Sequence, residues 1–252
     1  MSAALRIEPR VSLTSTPSVR APARESYRRM EPLKFLLVEI GSFLSEGVLA
    51  LLHSSMNYLD VGRWMKVNGF STSSRVWERV ALYERVASRV VGKPVLYLEF
   101  GVSHGRSIRT WASLLKDPHS VLHGFDTFTG LPEGGGREWP KGMYSQNGKP
   151  PEIPDPRITF FTGLFEETLP RYTLPPHDTL IVSIDCDMYT STSFVLHSLA
   201  PYLTPGTFIY FDEFSDYANE LRAFDEFLAV SGKKCVLVGA TKSYAQAVFQ
   251  FI

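Results

Sequence analysis

Cysteine is nearly missing from this 252-residue chain: Cys186 and Cys235 are the two present, each inside an apolar run. A disulfide framework and a cysteine-based zinc site are thereby excluded, and a reducing cytoplasm is the expected compartment. Net charge is also missing, because Lys+Arg and Asp+Glu stand at 26 each. Nucleic-acid binders usually carry a strong basic footprint, so no nucleic-acid partner is expected. Uninterrupted apolar runs of membrane-spanning length are absent as well. The stretch from Phe35 to Leu52 contains Glu39 and Glu46, and two carboxylates in lipid are costly. That stretch reads as an amphipathic helix packed on the protein, not as a transmembrane segment.

What is present is an ordinary globular composition, 44% hydrophobic and 21% charged, of a length that suits one large domain with additions. Charge is uneven along it. The first 30 residues hold six arginines against Glu8 and Glu25, together with Pro9, Pro17 and Pro22. With no apolar period, residues 1–30 read as a disordered basic leader, although an arginine-rich, acid-poor composition also occurs in targeting peptides. Residues 31–92 read as an N-terminal helical extension, the expected route to any homo-oligomer. Residues 93–252 read as the main domain.

In the extension, Trp77, Val80, Tyr83, Ala87 and Val90 recur at helical spacing, which predicts a helix with those residues on its buried face. From Val95 onward, short apolar runs alternate with helical stretches: Val95–Phe100, Val121–Phe125, Ile158–Phe161, Leu180–Ile184 and Thr207–Phe211. This alternation predicts a doubly wound, mostly parallel α/β sheet. A helical stretch from Tyr217 to Ala229 leads to two last runs, Cys235–Val238 and Tyr244–Ile252. Their link is too short for a parallel crossover, so they should form an antiparallel hairpin at the sheet edge, giving seven strands with one reversed edge strand.

Ligands of such sheets lie outside the carboxyl ends of the strands. After the first run stands Glu99-Phe100-Gly101-Val102-Ser103-His104-Gly105-Arg106-Ser107, where glycines permit close approach and a helix N-terminus offers unpaired N–H groups to an anion. A tight strand-to-helix turn would read the same way. After the second run, Asp126 either accepts ribose hydroxyls or caps a local turn. Asp185 and Asp187 close the fourth run, and Asp212 and Glu213 close the fifth. Side by side, four carboxylates repel one another unless a cation or shared protons relieve them.

These residues resemble a known family. Leu98–Val102, Gly124–Glu133, Thr162–Pro170, Ile184–Thr192 and Tyr210–Phe214 look like the macrocin O-methyltransferase type of class I S-adenosylmethionine (SAM) enzymes, in the right order over residues 95–215. Asp185-Cys186-Asp187-Met188-Tyr189-Thr190-Ser191-Thr192 is the most specific element. The resemblance implies a Rossmann-like class I fold and SAM as cofactor. Glu99, Gly101 and Gly105 would shape its methionine end, with Ser103 and Ser107 as carboxylate donors. Asp126 would hold the ribose, Thr127 and Phe128 would flank the adenine, and Gly163 would lie on its other side. The resemblance also implies a magnesium ion on Asp185, Asp212 and Glu213, Asp185 as a cofactor contact too, and Asp187 and Asp185 as the catalytic pair with Asp187 as the base; Glu213 stands where the family more often has aspartate. His104 departs from the family's commoner arginine or glycine. The spacer from Pro132 to Pro156, with Trp139, Met143 and Tyr144, reads as a lid over the acceptor. Cys186 reads as core filler.

The leading expectation is therefore a metal-assisted SAM-dependent O-methyltransferase acting on a sugar hydroxyl of a glycosylated natural product or nucleotide sugar. A catechol or phenol O-methyltransferase, and a SAM-binding or membrane-surface protein without catalysis, are the alternatives.

Overall fold

A computed structural model of the protein describes residues 30–70, 72, 74–134 and 140–252. The expected disordered leader lies almost wholly outside the described residues. The chain divides into two compact units, residues 1–52 and 53–252.

In the first unit, α1 (Glu31–Phe43) and the start of α2 (Glu46–Val67) are separated by a break at Leu44 and Ser45. Within this unit α1 has no buried residue, and Phe35, Leu37, Val38 and Phe43 are exposed. No helix among the described residues is long and apolar enough to cross a membrane.

The second unit starts inside α2 and continues through α3 (Arg79–Ala87), β1 (Val95–Phe100), α4 (Arg106–Leu114), β2 (Val121–Asp126), β3 (Ile158–Thr162), α5 (Phe165–Thr168) and a 3-10 turn at Leu169–Arg171. It ends with β4 (Thr179–Ile184), α6 (Tyr189–Leu199), β5 (Phe208–Phe211), α7 (Glu220–Ser231), β6 (Cys235–Ala240) and β7 (Ala247–Phe251). The seven strands run in the order β3-β2-β1-β4-β5-β7-β6. All pairings are parallel except those of β7 with β5 and β6. The hairpin sits at the sheet edge as the short link requires. Its reversed strand, β7, lies one place in, and β6 forms the edge itself.

Strand alternation builds a core on each face of the sheet. Leu96, Leu98 and Phe100 of β1 point into one layer with Val61, Trp64 and Met65 of α2, Val195 and Leu199 of α6, and Phe224 and Phe227 of α7. Val95 and Tyr97 point into the other, with Leu82, Tyr83 and Val86 of α3 and Ile108 and Trp111 of α4. Residues 53–92 thus pack within the compact unit 53–252. The face of α3 also differs from expectation. Helix begins only at Arg79, so Leu82 and Val86 join Tyr83 and Val90 inside, while Trp77 is 79% exposed and Val80 is exposed.

A chain cut before residue 53 should keep a single cooperative thermal transition. One cut before residue 93 loses Trp64, Leu82 and Tyr83, each worth about 2–5 kcal/mol when truncated to alanine, and should show none. Equal melting of the two would refute the assignment of residues 53–92 to the core.

Candidate active site

The strand order reverses between β1 and β4, which are paired with Phe100 opposite Ile184. A crevice opens at such a switch point because the chains leaving the two strands turn to opposite faces. Here it is a cavity of about 720 Å³, within the range of small-molecule sites. Its wall is made by the turns after β1, β2, β3, β4 and β5.

The turn after β1 depends on Gly101. Its φ is +90°, and a Cβ there would stand 1.8 Å from the Asp185 carbonyl oxygen, so only glycine lets β1 and β4 exit this close together. The turn is tied down by Asp126 at the end of β2. Its Oδ2 accepts the backbone N–H groups of Val102 and Ser103, both at 2.8 Å, and its Oδ1 accepts that of Phe128 at 2.7 Å. Asp126 also lines the cavity. Of the two readings of this residue, the turn-capping one is met directly, and its place on the cavity wall leaves the ribose reading as a proposal.

Of the residues expected at a cofactor, Gly101, Ser103, Ser107, Asp126, Thr127 and Asp185 line the cavity. Glu99, Gly105, Phe128 and Gly163 are not part of its wall. Glu99 alternates with Phe100, so its side chain turns back beneath the crevice, where Tyr97 donates a 2.5 Å hydrogen bond to it. Burial pushes its carboxyl up to about 8, the Tyr97 hydrogen bond opposing and Asp212 and Asp126 adding. Gly105 caps α4 at φ +70° with Pro151 and Ile153 against it. Phe128 is buried edge-on to Phe160. At Gly163, the cavity wall is supplied by the next residues, Leu164 and Phe165.

The expected acids do converge. Pairing of Ile184 with Phe211 brings the ends of β4 and β5 together, and Asp185, Asp187, Asp212 and Glu213 all line the cavity. Asp187 has a left-handed backbone, φ +60°. Burial, then the neighbouring acids Asp212, Asp216 and Asp126, push its carboxyl up to about 6. Burial and Asp212, Asp187 and Asp216 raise Glu213 to about 7. Asp185 lies well above its ordinary value for the same two reasons. Asp212 differs in having a cation. Arg79 Nη1 donates to both its oxygens, at 3.2 and 3.0 Å, and the Tyr210 hydroxyl donates to Oδ1 at 2.6 Å. The four acids are thus not equivalent. Cys186 is buried in the core, as expected, with its thiol raised by burial.

The stretch expected as a lid contributes to the cavity wall. Trp139 lies outside the described residues. Gly142 and Met143 pair with Leu131 through backbone hydrogen bonds, and Gln146 and Gly148 donate to the Phe128 carbonyl. Met143 and Tyr144 line the cavity. Burial, then the acids Asp187, Glu213 and Asp185, raises the Tyr144 hydroxyl above its ordinary value. Thr190 on α6 donates a hydrogen bond to Glu133, at the other end of the lid. His104 Nε2 contacts the Gln146 amide at 3.2 Å, so it joins the first turn to the lid.

Two functional residues escaped the sequence reading. Arg79 belongs to α3, far from every strand end in sequence. Glu220, in the first turn of α7, is fully buried, and its two oxygens accept the N–H groups of Cys186 and Glu213 at 3.3 and 3.0 Å. It therefore joins the two acid-bearing turns to each other. An acidic residue opening a helix is common for dipole reasons alone, so nothing in the sequence distinguished it.

Residues 98–214 match the protein family described as "Methyltransferase domain". A 61-residue stretch is 34% identical to 8-demethyl-8-(2,3-dimethoxy-alpha-L-rhamnosyl)-tetracenomycin-C 4'-O-methyltransferase of Streptomyces olivaceus, covering 24% of this chain and 23% of that relative. Among solved structures, apo CalS11, a TDP-rhamnose 3'-O-methyltransferase of calicheamicin biosynthesis, is similar at 26% identity and TM-score 0.50, over 68% of this chain and 78% of that one. The O-methyltransferase NovP is similar in fold at 20% identity and TM-score 0.52, over the same shares of the chains. The fold of residues 53–252 is the class I, Rossmann-like one.

Two stability measurements probe this geometry. Gly101→Ala forces a Cβ into the Asp185 carbonyl and should lower the melting temperature by about 5 °C or more; a shift near zero would mean that the β1 and β4 exits are not in contact. Glu99 keeps its proton in the folded protein up to about pH 8, whereas the unfolded chain releases it near the ordinary value of about 4.3. Its contribution is therefore fully present below that lower value and is lost as pH rises toward 8, because the folded state binds the extra proton. Glu99→Gln, a mimic of the neutral acid, should flatten the fall of stability between pH 5 and 8 by about one proton's slope, measured by denaturant unfolding. An unchanged slope would show that Glu99 is ionised in the folded protein.

Proposed function

We propose that this protein transfers the methyl group of SAM to a sugar hydroxyl, on a nucleotide sugar or a glycosylated natural product. The observation that carries the reading is the cavity itself, which joins the glycine turn over the α4 N-terminus, the Asp126 strand end and the Asp187 carboxylate in one space. SAM supplies an electrophilic sulfonium methyl, and alignment is left to the protein. Gly101 admits the cofactor's methionine end beside the turn, where Ser103, Ser107 and the α4 N–H groups suit a carboxylate. Asp126 suits the ribose hydroxyls, and Thr127 and Leu164 suit the edges of the adenine.

A sugar hydroxyl is a weak nucleophile, so it needs a base placed against it. Asp187 fits that task, since burial and neighbouring acids hold its carboxyl at about 6, near the working pH at which a base is most effective. Tyr144 and Met143 line the same cavity as the acids, where they would help to keep water from competing with the acceptor. Support for a sugar acceptor comes from the relatives named for rhamnosyl and TDP-rhamnose methylation. A cytoplasmic setting accords with nucleotide sugars and with two free cysteines.

The family resemblance also implies magnesium. The donor chemistry fits: Asp185, Asp212 and Glu213 offer only carboxylate oxygens, the set a hard divalent ion takes, and burial, then repulsion by the neighbouring acids, holds Asp185 and Glu213 above the ordinary range. As they stand, no three acidic, histidine or cysteine side chains among the described residues are grouped to hold an ion. Asp212 is turned onto Arg79 instead. An ion on these three residues would lower the pKa of the acceptor hydroxyl.

Incubation with methyl-labelled SAM and a panel of TDP-deoxysugars, glycosides and catechols should label a sugar hydroxyl. Asp187→Asn should lower kcat by about 10²- to 10⁴-fold, and the wild-type rate should rise with pH through an apparent pKa near 6. Labelling of catechols alone would overturn the acceptor class, and full activity in Asp187→Asn would remove the base.

A further inference from the structure

The rim acids have a cation already, and it comes from outside the segment that matches the methyltransferase family. Arg79 opens α3, while the family match begins at residue 98. Its position is set by a stretch of chain clamped to the β6–β7 hairpin. Val76 bridges Thr241 and donates to the Ala240 carbonyl at 3.0 Å. Arg75 donates to the Lys242 carbonyl at 2.6 Å and lies over the Tyr244 ring at 4.8 Å. Behind it, Leu82 and Tyr83 are buried. Arg79 is thereby delivered to the cavity wall with Nη1 on both Asp212 oxygens.

A carboxylate engaged in this way has little left to offer a second cation. Tyr210 takes a further lone pair of Oδ1, and a guanidinium beside the site repels a dication directly. We propose that Arg79 is the resident counter-cation of the acidic rim and sets its affinity for divalent ions: an ion gains Asp212 only when the guanidinium turns away. This rests on the reading of Asp185, Asp212 and Glu213 as the ion's donors. The Arg79 side chain is 39% exposed, so it has room to turn toward solvent, where its charge is readily hydrated.

The test is Mn²⁺ binding to the full chain, followed by electron paramagnetic resonance without acceptor or turnover. Arg79→Gln should bind Mn²⁺ at least ~10-fold more tightly than wild type, equivalent to about 1.4 kcal/mol. Adding Asp212→Asn to that variant should cancel the gain. Arg79→Lys keeps the charge but cannot present the planar fork; its affinity should fall between the two, and it decides the matter if the glutamine variant does not fold. Wild-type binding with equal or weaker affinity in Arg79→Gln would overturn the role of Arg79 and leave the donor reading standing. No Mn²⁺ binding by wild type or either variant, in proteins that still bind S-adenosylhomocysteine calorimetrically, would overturn the donor reading itself and this proposal with it.

Discussion

The crowding of carboxylates where β4 and β5 end beside β1 is the constraint on which the rest of the site depends. Parallel pairing of Ile184 with Phe211 places Asp185 next to Asp212, and the next residues of each turn add Asp187 and Glu213 to the same cavity wall. Charges this close and partly removed from water cannot all remain ionised without compensation. The structure answers in different ways at each position. Asp212 receives Arg79 and Tyr210, whereas Asp187 and Glu213 are raised to about 6 and 7. A rim that divides its acids into a compensated one and proton-holding ones supplies a base without giving up the fold.

Holding that arrangement takes contributions from distant parts of the chain. Gly101 sets how near β1 and β4 can exit, Asp126 holds the first turn by three N–H groups, and Glu220 joins the two acid-bearing turns from beneath. Asn219 adds to this by accepting the Tyr189 N–H at the start of α6. Buried carboxylates that accept backbone N–H groups keep turns in place that would otherwise be pushed apart by like charge. Residues 53–92 contribute the wall of both core layers and the Arg79 guanidinium.

Much of this was legible in the sequence. Short apolar runs between helical stretches placed the strands within three residues, and acids at the ends of consecutive runs foretold their convergence, because neighbouring parallel strands end on the same rim. The inward turn of Glu99 was not read, although side-chain alternation along β1 demands it, since Phe100 and Glu99 cannot share a face. Other features depend on tertiary choices with no local trace. A two-strand hairpin does not say which strand meets β5, and helical spacing from Trp77 to Val90 fits more than one face until the Val76 bridge to Thr241 fixes where α3 begins. Arg79 and Glu220 lie far in sequence from the acids they serve, and an arginine or glutamate in a first helical turn looks the same with or without such a partner.

The central claim is that several acids of this rim and its floor hold protons near neutrality. The most direct measurement is a carbon-detected NMR titration of the Asp and Glu side-chain carboxyls in the ligand-free protein. The account predicts that Asp187, Glu213 and Glu99 titrate near pH 6, 7 and 8. Titration of all three below about pH 5, in the ordinary carboxylate range, would contradict it.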